Sequence, residues 1–144
     1  MYEDVLLAID LTNSDAQKKA VQTALAFCTA FNAGLHVITV VPDFGMSIVA
    51  GYFPKNYERD ALEQANKKLQ AFVAQHVPEG IRVRHIVAHG TIYREILFYA
   101  EKTGCDLIVM ASHRPELEDY LLGPNAARVV RHAKVSVMVV RDQE

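Results

Sequence analysis

The feature that most constrains this chain is its rhythm: short, unbroken apolar runs alternate with amphipathic segments of helical period. Val5-Leu6-Leu7-Ala8-Ile9 is apolar at every position, as a strand covered on both faces requires. Asp10 closes it, turn chemistry follows at Thr12-Asn13-Ser14, and Ser14 with Gln17 three residues on reads as a capping box. The next helix places Ala20, Ala24, Phe27 and Phe31 at helical spacing, with Ala33-Gly34 as its expected stop. His36 to Val41 reads as a second strand, closed by Pro42. Residues 57 to 76 read as a long amphipathic helix with Leu62, Leu69, Phe72 and Val73 toward the core, ended by Val77-Pro78-Glu79-Gly80. Ile81 to Ala88 is the third strand, ending at His89-Gly90. Ile92 to Thr103 is the third helix, with Ile96, Leu97 and Ala100 inward and Gly104 at its C′ position. Leu107 to Ala111, Asn125 to Ala133 and Val135 to Val140 complete the series as strand, helix and strand. The alternation predicts an α/β fold, an open parallel sheet with helices on both faces.

Bulk properties narrow the class. The 144 residues are read as one domain, 1–144, long enough to bury a core without staples. Fifteen basic residues nearly balance seventeen acidic ones and no basic run occurs, which argues against a nucleic-acid partner. Lys18-Lys19 and Lys67-Lys68 fall in helical patterns and read as solvated faces. Cys28 and Cys105 lack any Cys-x-x-Cys or His spacing, so buried or half-buried free thiols in a reducing cytosol are expected. The chain enters a strand pattern directly from Met1, without signal-peptide features. Its longest apolar runs fall far short of the ~20 residues of a membrane span. A cytoplasmic protein is expected.

In open α/β sheets ligands collect beyond the carboxyl ends of the strands, where the strand order reverses. The candidates are therefore Ala8-Ile9-Asp10, Val40-Val41-Pro42, His89-Gly90 and Met110 to Arg114. Asp10 could accept from ribose hydroxyls or hold a divalent ion that bridges phosphates; as a lone strand-end Asp it could equally be a turn residue. Met110-Ala111-Ser112-His113-Arg114-Pro115, then Leu121-Leu122-Gly123-Pro124-Asn125-Ala126, reads as strand end, loop and helix start. That order places N–H groups and a helix dipole where an anion can bind. Pro42 to Asn56 has no clear period and carries Phe44, Met46, Tyr52 and Phe53; it reads as a satellite apolar cluster, a lid or a subunit contact. His132, in a last helical turn, complements the dipole, and His36, His76, His85 and His89 read as structural.

The Ala-Ser-His-Arg-Pro run and Tyr120-Leu-Leu-Gly-Pro-Asn-Ala-Ala-Arg-Val-Val-Arg-His-Ala133 closely resemble the universal stress protein family, particularly its F-type members. Asp10, Gly90 and the closing Val-Ser-Val-Met-Val-Val-Arg141 fit the same resemblance, which covers the whole chain. The resemblance implies a five-stranded parallel sheet in the order 3-2-1-4-5 and a site for ATP with a divalent ion, Mg or Mn. Carried over by position, Ala8 and Gly90 belong to the strand ends at that site. Asp10 meets ribose and metal-linked phosphate oxygens, and Val40 contacts adenine through its backbone. Met110, Ala111, His113 and Arg114 line sugar and phosphates. Gly123, Pro124, Asn125 and Ala126 wrap the terminal phosphates. His113 has the alternative role of a local hydrogen-bond organiser, and Tyr120 is expected to pack against the loop.

The family's nucleotide-binding branch carries Gly-x2-Gly-x9-Gly-Ser/Thr. Here Ala111 and Arg114 stand at the first two glycine positions, and eight residues separate Arg114 from Gly123. The ATP-binding F-type form shares that spacing, and Arg114 can replace a close backbone approach with a charged donor. Pro124 replaces the Ser/Thr and supplies neither hydroxyl nor N–H. One or two charge-assisted hydrogen bonds, roughly 1.5–3 kcal/mol each, are at stake, with Asn125 placed to recover part. Three readings follow: an ATP-binding stress-response module, a nucleotide-free interaction protein with a vestigial site, and a slow ATPase using Asp10 and a metal. No base is placed to activate water and no Walker lysine is present, so turnover is expected to be slow or absent. Val135 to Val140 is apolar on both faces yet expected at a sheet edge, and the resemblance implies a homodimer through it.

Overall fold

Each apolar run becomes a strand and each amphipathic segment a helix in the computed structural model, which describes residues 1–12, 17–42, 57–112 and 123–141. In chain order the elements are β1 (Asp4–Ala8), α1 (Lys18–Phe31), β2 (Gly34–Pro42), α2 (Tyr57–His76), β3 (Val83–Gly90), α3 (Ile92–Thr103), β4 (Leu107–Ser112), α4 (Gly123–His132) and β5 (Ser136–Arg141). All neighbouring strands pair in parallel, in the order β3-β2-β1-β4-β5. The chain thus steps from β1 to β2 to β3, then crosses back to β4 and β5. Right-handed crossovers put α1 and α2 on one face and α3 and α4 on the other.

Burial follows from that layering. Every residue from Val5 to Ile9 and from Leu107 to Ala111 is buried, because β1 and β4 lie inside the sheet with helices above and below. The edge strands are wetter: Arg84 and His85 of β3 are exposed, and Val137, Met138 and Val139 of β5 are half-buried. Ala20, Val21, Ala24 and Cys28 form the buried stripe of α1. Phe27 and Phe31 instead join Tyr2 in a surface aromatic cluster with ring centroids 5.8–5.9 Å apart. Both cysteines are buried free thiols, and burial pushes each thiol up to about 11.

Several boundaries differ from those expected. α1 stops at Asn32, left-handed at φ 54°, and Gly34 already belongs to β2. Asparagine tolerates that conformation through its short polar side chain. β3 begins at Val83 rather than Ile81 and runs on to Gly90, while α4 begins two residues earlier, at Gly123. Gly104 does close α3, at φ 72°, with the Cys105 N–H returning to the Ala100 carbonyl at 3.0 Å. Ser14, the 43–56 segment with Phe44, Met46, Tyr52 and Phe53, and His113, Arg114 and Tyr120 lie outside the described residues.

Candidate functional site

The central strand is also the short one, and that builds the site. The β1–β2 ladder ends at Ala8↔Ile38, with one further bond from the Ile9 N–H to the Ile38 carbonyl at 2.9 Å. β2 continues through Val40 to Pro42, paired only with β3. On the other side the β1–β4 ladder ends at Leu7↔Val109, and β4 continues from Met110 to Ser112 against β5. Two long strands thus overrun a short one, leaving a notch at the point where strand order reverses. Its floor is Ala8-Ile9-Asp10 and its walls carry the main chain of Val40 and of Met110 to Ser112. This is where an open α/β sheet receives a ligand.

Asp10 is fixed from both sides. Its N–H donates to Oε1 of Gln17 at 2.8 Å, and its carbonyl accepts from Nε2 of Gln17 at 2.6 Å. One primary amide therefore satisfies both main-chain groups of the residue that leaves the sheet. The Asp10 carboxylate accepts through Oδ1 from the Thr12 N–H at 3.0 Å and the Thr12 hydroxyl at 2.6 Å, an Asx turn. Asp10 is 5% exposed and Gln17 0%. The expected capping box rests on Ser14, which lies outside the described residues; within them α1 begins at Lys18, and the Gln17 amide reaches back to Asp10. Gln17 and Thr12 are the site residues that sequence reasoning missed. Asp10-x-Thr12 carried an Asx-turn signal; nothing local pointed from Gln17 back to residue 10.

The other expected residues divide by what faces the notch. Gly90 ends β3 at φ 141°, and an added Cβ would lie 3.2 Å from Oε2 of Glu95, so the backbone turn into α3 requires glycine. Beside it, Nδ1 of His89 lies 3.0 Å from Oε1 of Glu58 in the first turn of α2. Met110 was expected to line sugar and phosphates, but it is 0% exposed. Ala8, Ala111 and Ala126 are buried as well. These residues can offer only main chain, because their side chains are buried.

Asn125 was expected to reach phosphate; it is 8% exposed, and its Oδ1 accepts the Tyr93 N–H at 3.2 Å. That bond ties the first turn of α4 to the first turn of α3 and turns the amide oxygen inward. Gly123 and Pro124 open α4, whose last turn carries Arg131 and His132, so the dipole is complemented at its negative end. His132 also stacks on Tyr93, with centroids 6.0 Å apart.

Among the described residues, no three His, Cys, Asp or Glu side chains gather into a metal cage. A Mg or Mn ion held by one carboxylate, phosphate oxygens and waters needs no such cage, and among the described residues Asp10 is a carboxylate at the floor of the notch that suits such an arrangement.

The sequence pattern of the universal stress protein family matches residues 1–141. Universal stress protein G from Shigella flexneri is 28% identical over 143 residues, covering 98% of this chain and 100% of that protein. The structure of hypothetical protein MJ0577 from Methanocaldococcus jannaschii superposes with a TM-score of 0.81 at 25% identity, covering 100% of this chain and 99% of that one. A universal stress protein from Archaeoglobus fulgidus in complex with dAMP shares the fold with a TM-score of 0.68 at 17% identity, covering 96% and 97% of the two chains. The fold is thus shared with these relatives, and this chain belongs to the universal stress protein family.

Proposed function

We propose that this chain is an ATP-binding stress-response module of the F-type branch, acting in the cytoplasm as a homodimer. The observation that carries the reading is the notch: a short β1 between overrunning β2 and β4, floored by a buried, doubly anchored Asp10. Main-chain groups at Val40 receive the adenine, Asp10 meets ribose and a Mg or Mn ion on the phosphates, and the first turn of α4 faces the terminal phosphates. The A. fulgidus relative in complex with dAMP is in keeping with an adenine nucleotide as ligand. Bound nucleotide sets conformation and partner choice, with little or no turnover. The dimer forms through β5, whose half-buried Val137 to Val139 lie at a sheet edge; a monomeric mass in solution at micromolar concentration would remove that part.

A second reading, a vestigial notch in a pure interaction protein, is favoured by Pro124 in the first turn of α4 and by the inward-held Asn125. Mass spectrometry of nucleotide released from gently purified, heat-denatured protein separates the two. Near-stoichiometric ATP supports the sensor. An empty protein whose thermal midpoint ignores millimolar Mg-ATP supports the vestigial notch.

A further inference from the structure

The seam between α3 and α4 carries two neighbouring features that the nucleotide notch leaves unused. The first is a cationic cluster built on one ring. Tyr93, in the first turn of α3, has the guanidinium carbon of Arg94 5.7 Å from its ring centroid and that of Arg128, on α4, also at 5.7 Å. His132 stacks on the same ring at 6.0 Å, and the Tyr93 hydroxyl accepts from Nε of Arg94 at 3.1 Å. These contacts steady both guanidinium groups. Both arginines are exposed, and among the described residues no carboxylate pairs with either, so most of their N–H donors stay available to an anion.

The second feature is an apolar slot farther along the same seam. A cavity of about 120 Å³ lies between α3 and the turn from α4 into β5. The half-buried Leu97, Ala133 and Val135 line it over the buried Ala100 and Ile108, and the exposed Glu101, His132 and Lys134 complete the lining. An apolar cavity of ~150 Å³ holds a benzene molecule, so the slot suits one aliphatic side chain. His132 belongs to both features and joins them into one surface. At about 1.5 Å per helical residue the slot lies about 6–12 Å from Tyr93, a span of about two to four residues of extended chain.

Charge selects the occupant. Gly123 to Val135 carries Arg128, Arg131 and Lys134 and no acidic residue, in a chain whose acidic residues outnumber its basic ones. Of the two carboxylates on α3, Glu95 lies against Gly90 and Glu101 lines the slot, which directs a partner's negative charge to the Arg94–Arg128 end. We infer that the α3–α4 seam docks a short acidic segment of a partner protein. One aliphatic side chain of that segment fills the slot, and a carboxylate about two to four residues away meets Arg94 and Arg128. A pocketed apolar anchor supplies the affinity and the charges fix register and partner choice. An anionic bilayer would bring the charge but no single side chain for the slot.

The test uses the full-length protein and a fluorescently labelled synthetic peptide with glutamates on both sides of a single leucine, read by anisotropy. Saturable binding that weakens as salt rises is expected, and it survives Asp10→Ala. Serine in place of the peptide's leucine weakens binding by about tenfold or more, and lysines in place of the glutamates abolish it. Arg128→Gln, at an exposed position that leaves the fold intact, weakens binding by about tenfold. Ala133→Leu fills the slot and removes the preference for leucine over serine. No saturable binding, equal affinity for the leucine and serine peptides, unchanged affinity in Arg128→Gln, or loss of binding in Asp10→Ala would each overturn the assignment. Binding to phosphatidylserine vesicles that Arg128→Gln weakens and Ala133→Leu spares would overturn it too, by making the seam a membrane contact.

Discussion

Replacing Gln17 with leucine removes an amide that holds both main-chain groups of Asp10, without opening a large void. The Asp10 N–H to Oε1 bond is 2.8 Å and the Nε2 to Asp10 carbonyl bond is 2.6 Å, both buried. Each net hydrogen bond is worth about 1 kcal/mol, and each buried polar group left unpaired costs about 1–3 kcal/mol. Some relaxation at the strand end brings the expected loss to roughly 2–5 kcal/mol, against a typical total of about 5–15. In urea the midpoint should fall by about 1–3 M with an unchanged slope. Because the same bonds aim Asp10 across the notch, Mg-ATP affinity measured by calorimetry should drop by about tenfold or more. Gln17→Glu keeps the acceptor for the Asp10 N–H but sets a second acceptor against the Asp10 carbonyl, so it should resemble Gln17→Leu rather than wild type. A stability loss below about 1 kcal/mol would mean that water replaces the amide, refuting the anchoring argument. A full stability loss with unchanged affinity would refute the role of Asp10 at the nucleotide.

Gly90→Ala forces a side chain onto a residue at φ 141° with its Cβ 3.2 Å from Oε2 of Glu95; a loss of about 1–3 kcal/mol is expected, read as a fall of several degrees in Tm. Unchanged Tm would show that the turn accepts a Cβ. The two thiols predict alkaline destabilisation. Their pKa is raised from 9.0 to about 11 by burial, so their contribution is intact below about pH 9 and is lost as pH rises toward 11, where the unfolded chain has already released its protons. Up to about 2–3 kcal/mol per thiol is involved, and Cys28→Ala should flatten the fall of stability over that window in denaturant titrations. An identical slope in the variant would refute it.

The fold was legible because the buried strands β1 and β4 are covered on both faces, which leaves no polar position to blur the run. Edge strands were less sharply bounded. β3 carries exposed Arg84 and His85 and half-buried Val83, so Ile81 reads as strand although pairing starts at Val83. The helix stop at Asn32 was hidden behind Gly34, the stronger generic signal, which pairing with Asp4 draws into β2. At the site, residue types just past strand ends were readable, but side-chain direction was not. Met110 and Asn125 were both expected to face the ligand, and packing against other layers turns them inward. Gln17 shows a related gap: its spacing from Ser14 suits a local cap, and that pattern gives no sign of the amide's bonds to the main chain seven residues earlier. Local patterns cannot encode such a contact.

On the proposed reading, Pro124 grades the affinity of the notch rather than deciding whether it binds anions at all. Two effects draw an anion to the start of α4, and proline touches them unequally. The directional part, N–H and hydroxyl donors to phosphate, is worth roughly 1.5–3 kcal/mol per bond and is what Pro124 removes. The dipole part sums over the ten residues of α4, is worth about 0.3–1 kcal/mol, rising toward ~2 when partly buried, and survives the loss of one N–H. Proline also suits the first turn conformationally, so the helix start keeps its place beside the notch. The adenine and ribose contacts proposed for Val40, on β2, and Asp10, just past the end of β1, do not involve Pro124. Ligands lacking terminal phosphates should therefore lose less than ATP does, and Pro124→Ser should tighten ATP by about one to two decades while leaving AMP nearly unchanged. Equal gains for both nucleotides would mean that the first turn of α4 does not face the terminal phosphates.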